Sequence, residues 1–183
     1  TDLKNTNNSL YELAPAVRAA AGFETTGRVY RDAHHLARRA ARATVSRERR
    51  PALQRAALRR AASLGIACVH ELSAPHIAAP DDLQDLLTLV ELEPLPQVIG
   101  YWGELDGVRA ARSLGATGAA GDLCLDGSLG SRTAWLEGPY ADEPASCGHS
   151  YLSLEEATGH LVACTQAGLQ GGFHVIGDRA VET

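Results

Sequence analysis

His174 stands inside an apolar run, Gly-Gly-Phe-His-Val-Ile-Gly, at residues 171–177. An imidazole buried there costs free energy unless it is hydrogen-bonded or bound. A histidine at a strand end suits a metal ligand whose second nitrogen is oriented by a neighbour; a satisfied core histidine is the bland alternative. A second cluster lies upstream, in Asp122-Leu123-Cys124-Leu125-Asp126. A two-residue period puts Asp122, Cys124 and Asp126 on one face and the leucines on the other. Two carboxylates and a thiol make a poor core but good metal ligands or acid–base groups. Asp122 reads equally well as a solvated residue where the strand begins.

Asp126 opens a loop, Gly-Ser-Leu-Gly-Ser-Arg at residues 127–132, with Trp135 and Tyr140 close behind. Ser128, Ser131 and Arg132 suit the polar group of a small substrate. Trp135 and Tyr140 suit the wall of its pocket, and the glycines allow close approach of backbone to ligand. The competing reading pairs Arg132 structurally with Asp142 or Glu143. His70, in Val-His-Glu at a strand end, contacts substrate or bonds a neighbouring loop. His34 and His35 are adjacent on a helix and point about 100° apart, which disfavours one shared metal. His76, His149 and His160 carry no signal of their own, and Cys68, Cys147 and Cys164 read as small hydrophobes.

These side chains need a scaffold that brings strand ends together. Residues 65–72 read as a strand, followed by a helix around 81–90. A second strand at 96–102 precedes a helix around 105–114, and a third strand falls on 122–125. A helix over 153–168 leads to a fourth strand, 171–177, after which Asp178 is placed to cap one more helix. Upstream, Ser46 suits the N-cap of a helix that runs to Ser63 and stops at Gly65. Alternating strands and helices imply a parallel sheet with helical crossovers. The architectures that fit are an open doubly wound sheet and part of a (β/α)8 barrel. Neither glycine-rich phosphate-loop pattern occurs, which weakens nucleotide binding. A whole barrel takes about 250 residues, so four strands in this length read as half of one. In either architecture function gathers at the carboxyl ends of the strands.

The chain has 183 residues, a net charge of −5 and 45% hydrophobic residues. The net negative charge argues against nucleic-acid binding, and no apolar run is long enough to span a membrane. Four cysteines without a C-x-x-C pair suit free thiols in a reducing compartment, so the cytoplasm is expected. The absence of methionine suggests that the true N-terminus lies elsewhere. Nine arginines and one acid lie between Arg38 and Arg60, and six acids without a lysine or arginine between Glu71 and Glu93. Helical spacing of Leu53, Ala56, Ala57, Arg60 and Leu64 favours a solvated helix face over a basic interaction patch.

The stretch DGSLGSRTAWLEGPYADEP (126–144), followed by GHSYLSLEEATGHLVACTQAGLQGGFHVIGDRAV (148–181), closely resembles amidohydrolase family 3, the YtcJ-like branch of the amidohydrolase superfamily. TGRVYRDAHH (26–35) and ASLGIACVHEL (62–72) fit it more loosely. The resemblance implies a partial barrel domain over 26–183, roughly strands two to five with their helices, and leaves 1–25 unplaced.

It also implies a metal-dependent hydrolase of C–N bonds other than peptide bonds, working through water activated by one or two divalent ions, often zinc. His174 matches the family's fifth-strand histidine ligand, and Asp126 falls beside the metal centre as the catalytic carboxylate. Asp178 lies in the same H-x-I-G-D-x-A strand end. Two departures stand out. No H-x-H occurs, and the family's lysine, four residues before the Asp-Gly, falls on Asp122, with Asp122 and Cys124 as its possible substitutes. The implied partners are a small-molecule substrate, the remaining segments of the barrel and a second copy across open sheet edges. By itself the chain is expected to be inert. A barrel that has lost its metal and binds a ligand or partner is the alternative.

Overall fold

The computed structural model describes residues 15–20, 22–24, 26, 28–29 and 31–183. The chain divides into two compact units, Thr1–Leu53 and Gln54–Thr183. In the first, helix α1 (Arg31–Ala43) buries Ala33 and Ala40, seven residues apart and hence on one face. Arg39 is exposed, as a solvated face requires.

A 3-10 turn at Arg47–Arg49 leads into helix α2 (Arg50–Ser63), with Ser46 at the N-cap position. Gly65, at φ +80°, closes the helix where the sequence placed its stop. In the second unit, Leu58 of α2 packs with Leu86 and Val98. Arg55 grips Glu93 with both carboxylate oxygens at 2.8 Å from its Nε. Arg55 of the arginine run thereby meets Glu93, the last acid of the acidic run, in a partly buried pair.

The second unit is a four-stranded parallel sheet in the order β1 (Cys68–Ser73), β2 (Gln97–Trp102), β3 (Gly118–Ala119), β4 (Gln170–Gly171). Helices α3 (Pro80–Leu92), α4 (Val108–Ser113) and α5 (Leu154–Gln166) make the crossovers, and α6 (Asp178–Val181) follows. Leu83 of α3 and Trp102 of β2 share a core with Ala111, Leu114, Ala119 and Cys164. Val98, Gly100 and Trp102 turn toward the helices. A Cβ on Gly100 would lie 2.9 Å from Leu83 Cδ1, so glycine lets α3 pack closely on β2. On the opposite face His70 stacks on Tyr101 at 5.8 Å, and the Tyr101 hydroxyl donates to Gln170 Oε1 at 2.9 Å. That face is thinly covered: Leu72 is 51% exposed.

The third strand differs from expectation. It lies at Gly118–Ala119, not at 122–125. A Cβ on Gly118 would sit 2.3 Å from the Gln170 carbonyl, so only a bare backbone lets β3 approach β4 here. Gly121, at φ +115°, then turns the chain out of the ladder. Residues 122–125 keep one parallel bridge, Cys124 to His174. The fourth strand is likewise only Gln170–Gly171. His160 of α5, fully buried, ties helix to sheet: its Nε2 donates to the Ala119 carbonyl at 2.8 Å, and its Nδ1 accepts from the Asp106 amide at 3.2 Å.

Two glycines predict opposite outcomes in urea denaturation of the purified protein. Gly118→Ala drives a methyl into the Gln170 carbonyl and loses about 1–3 kcal/mol. Gly159→Ala lies on the exposed side of α5 with open space around its added methyl, and gains about 0.5–1 kcal/mol. Equal stability of the two variants would contradict the packing described.

Candidate functional site

The segments leaving the strands converge. After β1, the Ser73 carbonyl accepts from the Gly103 amide at 2.7 Å, joining the ends of β1 and β2. A Cβ on Gly103 would lie 2.8 Å from the Asp122 amide nitrogen, and one on Gly121 would lie 2.7 Å from the Ser73 carbonyl. The backbone of Asp122 is thereby pinned against the exits of β1 and β2. His76, in the loop after β1, meets it: His76 Nε2 lies 3.0 Å from Asp122 Oδ2. Cys124 Sγ is 3.8 Å from Asp122 Oδ1.

His174 sits across the bridge from Cys124, its amide donating to Leu123 O at 2.7 Å while its carbonyl accepts from Leu125 N at 3.0 Å. Its ring Nδ1 lies 3.2 Å from the Asp126 carbonyl. A carbonyl only accepts, so Nδ1 carries the proton and the neutral ring keeps its lone pair on Nε2. The ring is 35% exposed.

Asp126 is completely buried. Its Oδ2 accepts from the amides of Trp135 at 2.8 Å and Gly177 at 2.7 Å, and its Oδ1 from the amide of Ile176 at 2.9 Å. One carboxylate thus fastens the far end of the loop and the chain just past His174 to the loop's own start. The approach is close: a Cβ on Gly177 would lie 1.9 Å from the Trp135 carbonyl, which only glycine permits. This geometry gives Asp126 the work of a clamp. No surface of its side chain is open to a reacting group.

The loop is organised around itself. Ser128 and Thr133 exchange bonds across its base, with Ser128 N donating to Thr133 Oγ1 at 3.1 Å and Thr133 N to Ser128 O at 3.1 Å. The hydroxyls of Ser128, Ser131 and Thr133 form a chain at 2.9 Å and 2.6 Å. Arg132 takes the left-handed conformation (φ 55°), and its guanidinium pairs with Asp142. That pairing is the structural alternative the sequence offered for it. Trp135 lies under the Arg179 guanidinium, 4.7 Å from the ring centroid. Tyr140 is buried, its hydroxyl donating to the Ala134 carbonyl at 2.8 Å. Asp178 opens α6 and accepts from the Glu137 amide at 3.0 Å, a further stitch between the loop and the chain after His174.

Asp122, Cys124, Asp126 and His174 are therefore gathered near one another, Ser128, Ser131, Arg132 and Trp135 belong to the loop they adjoin, and Asp178 is bonded to that loop from the start of α6. His70 does not join them: it lies mid-strand on β1, against Tyr101. Sequence reasoning passed over His76 and His160. His76 carries no pattern in its loop. His160 stands four residues before Cys164, whose Sγ lies 3.5 Å from its Nε2, and that i,i+4 spacing is the one local signal that could have found it.

A family model described as the amidohydrolase family matches residues 2–183. The chain belongs to the amidohydrolase family. Two solved structures resemble this amidohydrolase chain. One is an uncharacterized metal-dependent hydrolase from Pyrococcus horikoshii OT3, 25% identical with a TM-score of 0.70 over 96% of this chain and 38% of that one. The other, an uncharacterized metal-dependent hydrolase from Pyrococcus furiosus, is 22% identical with a TM-score of 0.67 over 93% of this chain and 38% of its own. In Arabidopsis thaliana, Protein LONG AFTER FAR-RED 3 is 32% identical over 83 residues, 45% of this chain and 12% of the plant protein. The amidohydrolase chain thus spans well under half the length of each relative, and its parallel sheet is a partial barrel of the α/β class.

The residues present do not by themselves fit a metal ion. Among the described residues no three His, Cys, Asp or Glu side chains are grouped so that they could hold a metal ion. Both Asp122 oxygens already have neighbours, His76 and Cys124. A cysteine ligates as thiolate, and burial, followed by the Asp122 carboxylate, pushes the Cys124 thiol up to about 11. Of Asp122, Cys124, Asp126 and His174, it is His174 that presents a suitable lone pair.

Two measurements check this geometry. Asp126→Asn replaces a buried three-bond acceptor with a group that turns an N–H toward backbone amides, and chemical denaturation should show a loss of about 2–4 kcal/mol; a variant as stable as the wild type contradicts the clamp. At pH 8 about one Cys124 in a thousand is thiolate, so iodoacetamide labels it slowly and faster as pH rises toward 11. Peptide mapping that finds Cys124 labelled as fast as a free thiol with a pKa of about 8.5 contradicts the raised value.

Proposed function

We propose that the protein to which this chain belongs is a metal-dependent hydrolase of C–N bonds other than peptide bonds, in amides, formamides, ureas or cyclic imides. The observation that carries this reading is His174, held at the rim by the Asp126 carbonyl with Nε2 left to bind. Family membership and the two metal-dependent hydrolase relatives support a divalent metal, with zinc as the expected ion. His174 is its ligand in this chain, and the others come from parts of the barrel outside it. Asp126 positions His174 and the loop. Ser128, at the loop's base, and Ser131, in its turn, are the substrate contacts, and Trp135 walls the pocket. With one suitable ligand the chain alone is inert.

The free cysteines support a reducing compartment such as the cytoplasm. No helix among the described residues is long and apolar enough to cross a membrane. The thinly covered sheet face beside Leu72 supports pairing with the rest of the barrel or a second copy. The second reading, a barrel that has lost its metal and binds a ligand or partner, is favoured by one observation: Asp122 is engaged with His76.

Metal content decides between them. The full-length protein, purified without added metal, is expected to carry one or two zinc-like ions per chain. His174→Ala is expected to lose them together with turnover of a panel of amides, ureas and cyclic imides. Wild-type protein that neither carries nor takes up zinc or manganese would leave only the scaffold reading.

A further inference from the structure

Asp122 occupies the rim in an unusual way for a residue between two prospective ligands. Its backbone is closely packed: a Cβ on Gly103 would collide with the Asp122 amide, and one on Gly121 with the Ser73 carbonyl. From that fixed position the carboxylate points to the loop after β1, where His76 Nε2 meets Oδ2 at 3.0 Å. The other oxygen faces Cys124 Sγ at 3.8 Å. Both groups of the pair are partly open to solvent, 48% for His76 and 33% for Asp122. An ion bound through Asp122 would have to displace an imidazole from one oxygen and crowd a thiol at the other.

We infer that Asp122 is the hydrogen-bond partner of His76 and not a metal ligand, so that the loop after β1 is fastened to the exit of β3 by this pair. The metal centre proposed above, on which this inference partly rests, then draws only His174 from the segment 122–174. The pair closes the rim where the exits of β1, β2 and β3 meet, and Asp122 helps shape that corner without binding the ion.

The test uses the full-length protein with zinc as probe, and two readouts. Zinc titration compares wild type, His174→Ala and Asp122→Asn. Asp122→Asn should keep the wild-type stoichiometry and an affinity within about threefold, whereas perturbing even a group that orients a ligand costs about 10- to 100-fold. His174→Ala should lose binding. If Asp122→Asn loses zinc as His174→Ala does, the inference is overturned while the hydrolase reading stands.

The second readout needs no metal. His76→Ala and Asp122→Asn should each lower Tm by about 1–3 °C in the metal-stripped protein. The double variant should fall no further than either single one. Fully additive losses show that the two side chains do not act on each other and overturn the inference. If the wild type binds no zinc, the hydrolase reading fails and this cycle alone decides the role of Asp122.

Discussion

The buried carboxylate of Asp126 is the constraint on which the rim depends. A charge withdrawn from water must be compensated at short range, and here three backbone amides do it. Because those amides belong to Trp135, Ile176 and Gly177, satisfying one side chain brings together segments 9 to 51 residues away in sequence. The same residue's carbonyl sets the tautomer of His174. Loop closure, strand exit and imidazole orientation are thus consequences of a single burial.

Small residues make that closure possible. The β3–β4 contact, the turn out of the ladder and the contact of Gly177 with Trp135 each require a position without a Cβ. Close backbone approach then allows short hydrogen bonds in place of side-chain packing. It also explains why two of the four strands are only two residues long: the polypeptide leaves the sheet early to build the rim.

Much of this was legible in the sequence and some was not. The long strands, α3 and α5 follow hydrophobic periodicity, and α2 and α5 follow end signals such as Gly65 and the capping box of Ser153 with Glu156, whereas the spaced Leu53, Ala56, Ala57 and Leu64 are exposed and α2 buries Leu58 instead. β3 was displaced because Gly-Ala has no strand propensity, and its place is set by what fits beside Gln170. The residue types at 122, 124, 126 and 174 singled out side chains that the structure places near one another. Alternation along a strand suggested that Asp122 and Asp126 share a face. The turn at Gly121 removed the strand on which that argument rested. The clamp itself was invisible, since backbone amides leave no trace in residue identity. His76 was missed for a related reason: its partner is 46 residues away, and nothing local announces it.

The loop after Asp126 has two regions of different character. Its roots, at Gly127, Thr133 to Trp135 and Gly177, touch neighbours on every side, and a Cβ on Gly127 would fall 1.9 Å from Thr133 Oγ1. Its tip does not: Leu129 is 56% exposed and Gly130 has open space around it. A chain built this way can exchange residues at 129 and 130 without disturbing the carboxylate beneath. The rim can therefore diversify what it touches while its foundation stays fixed.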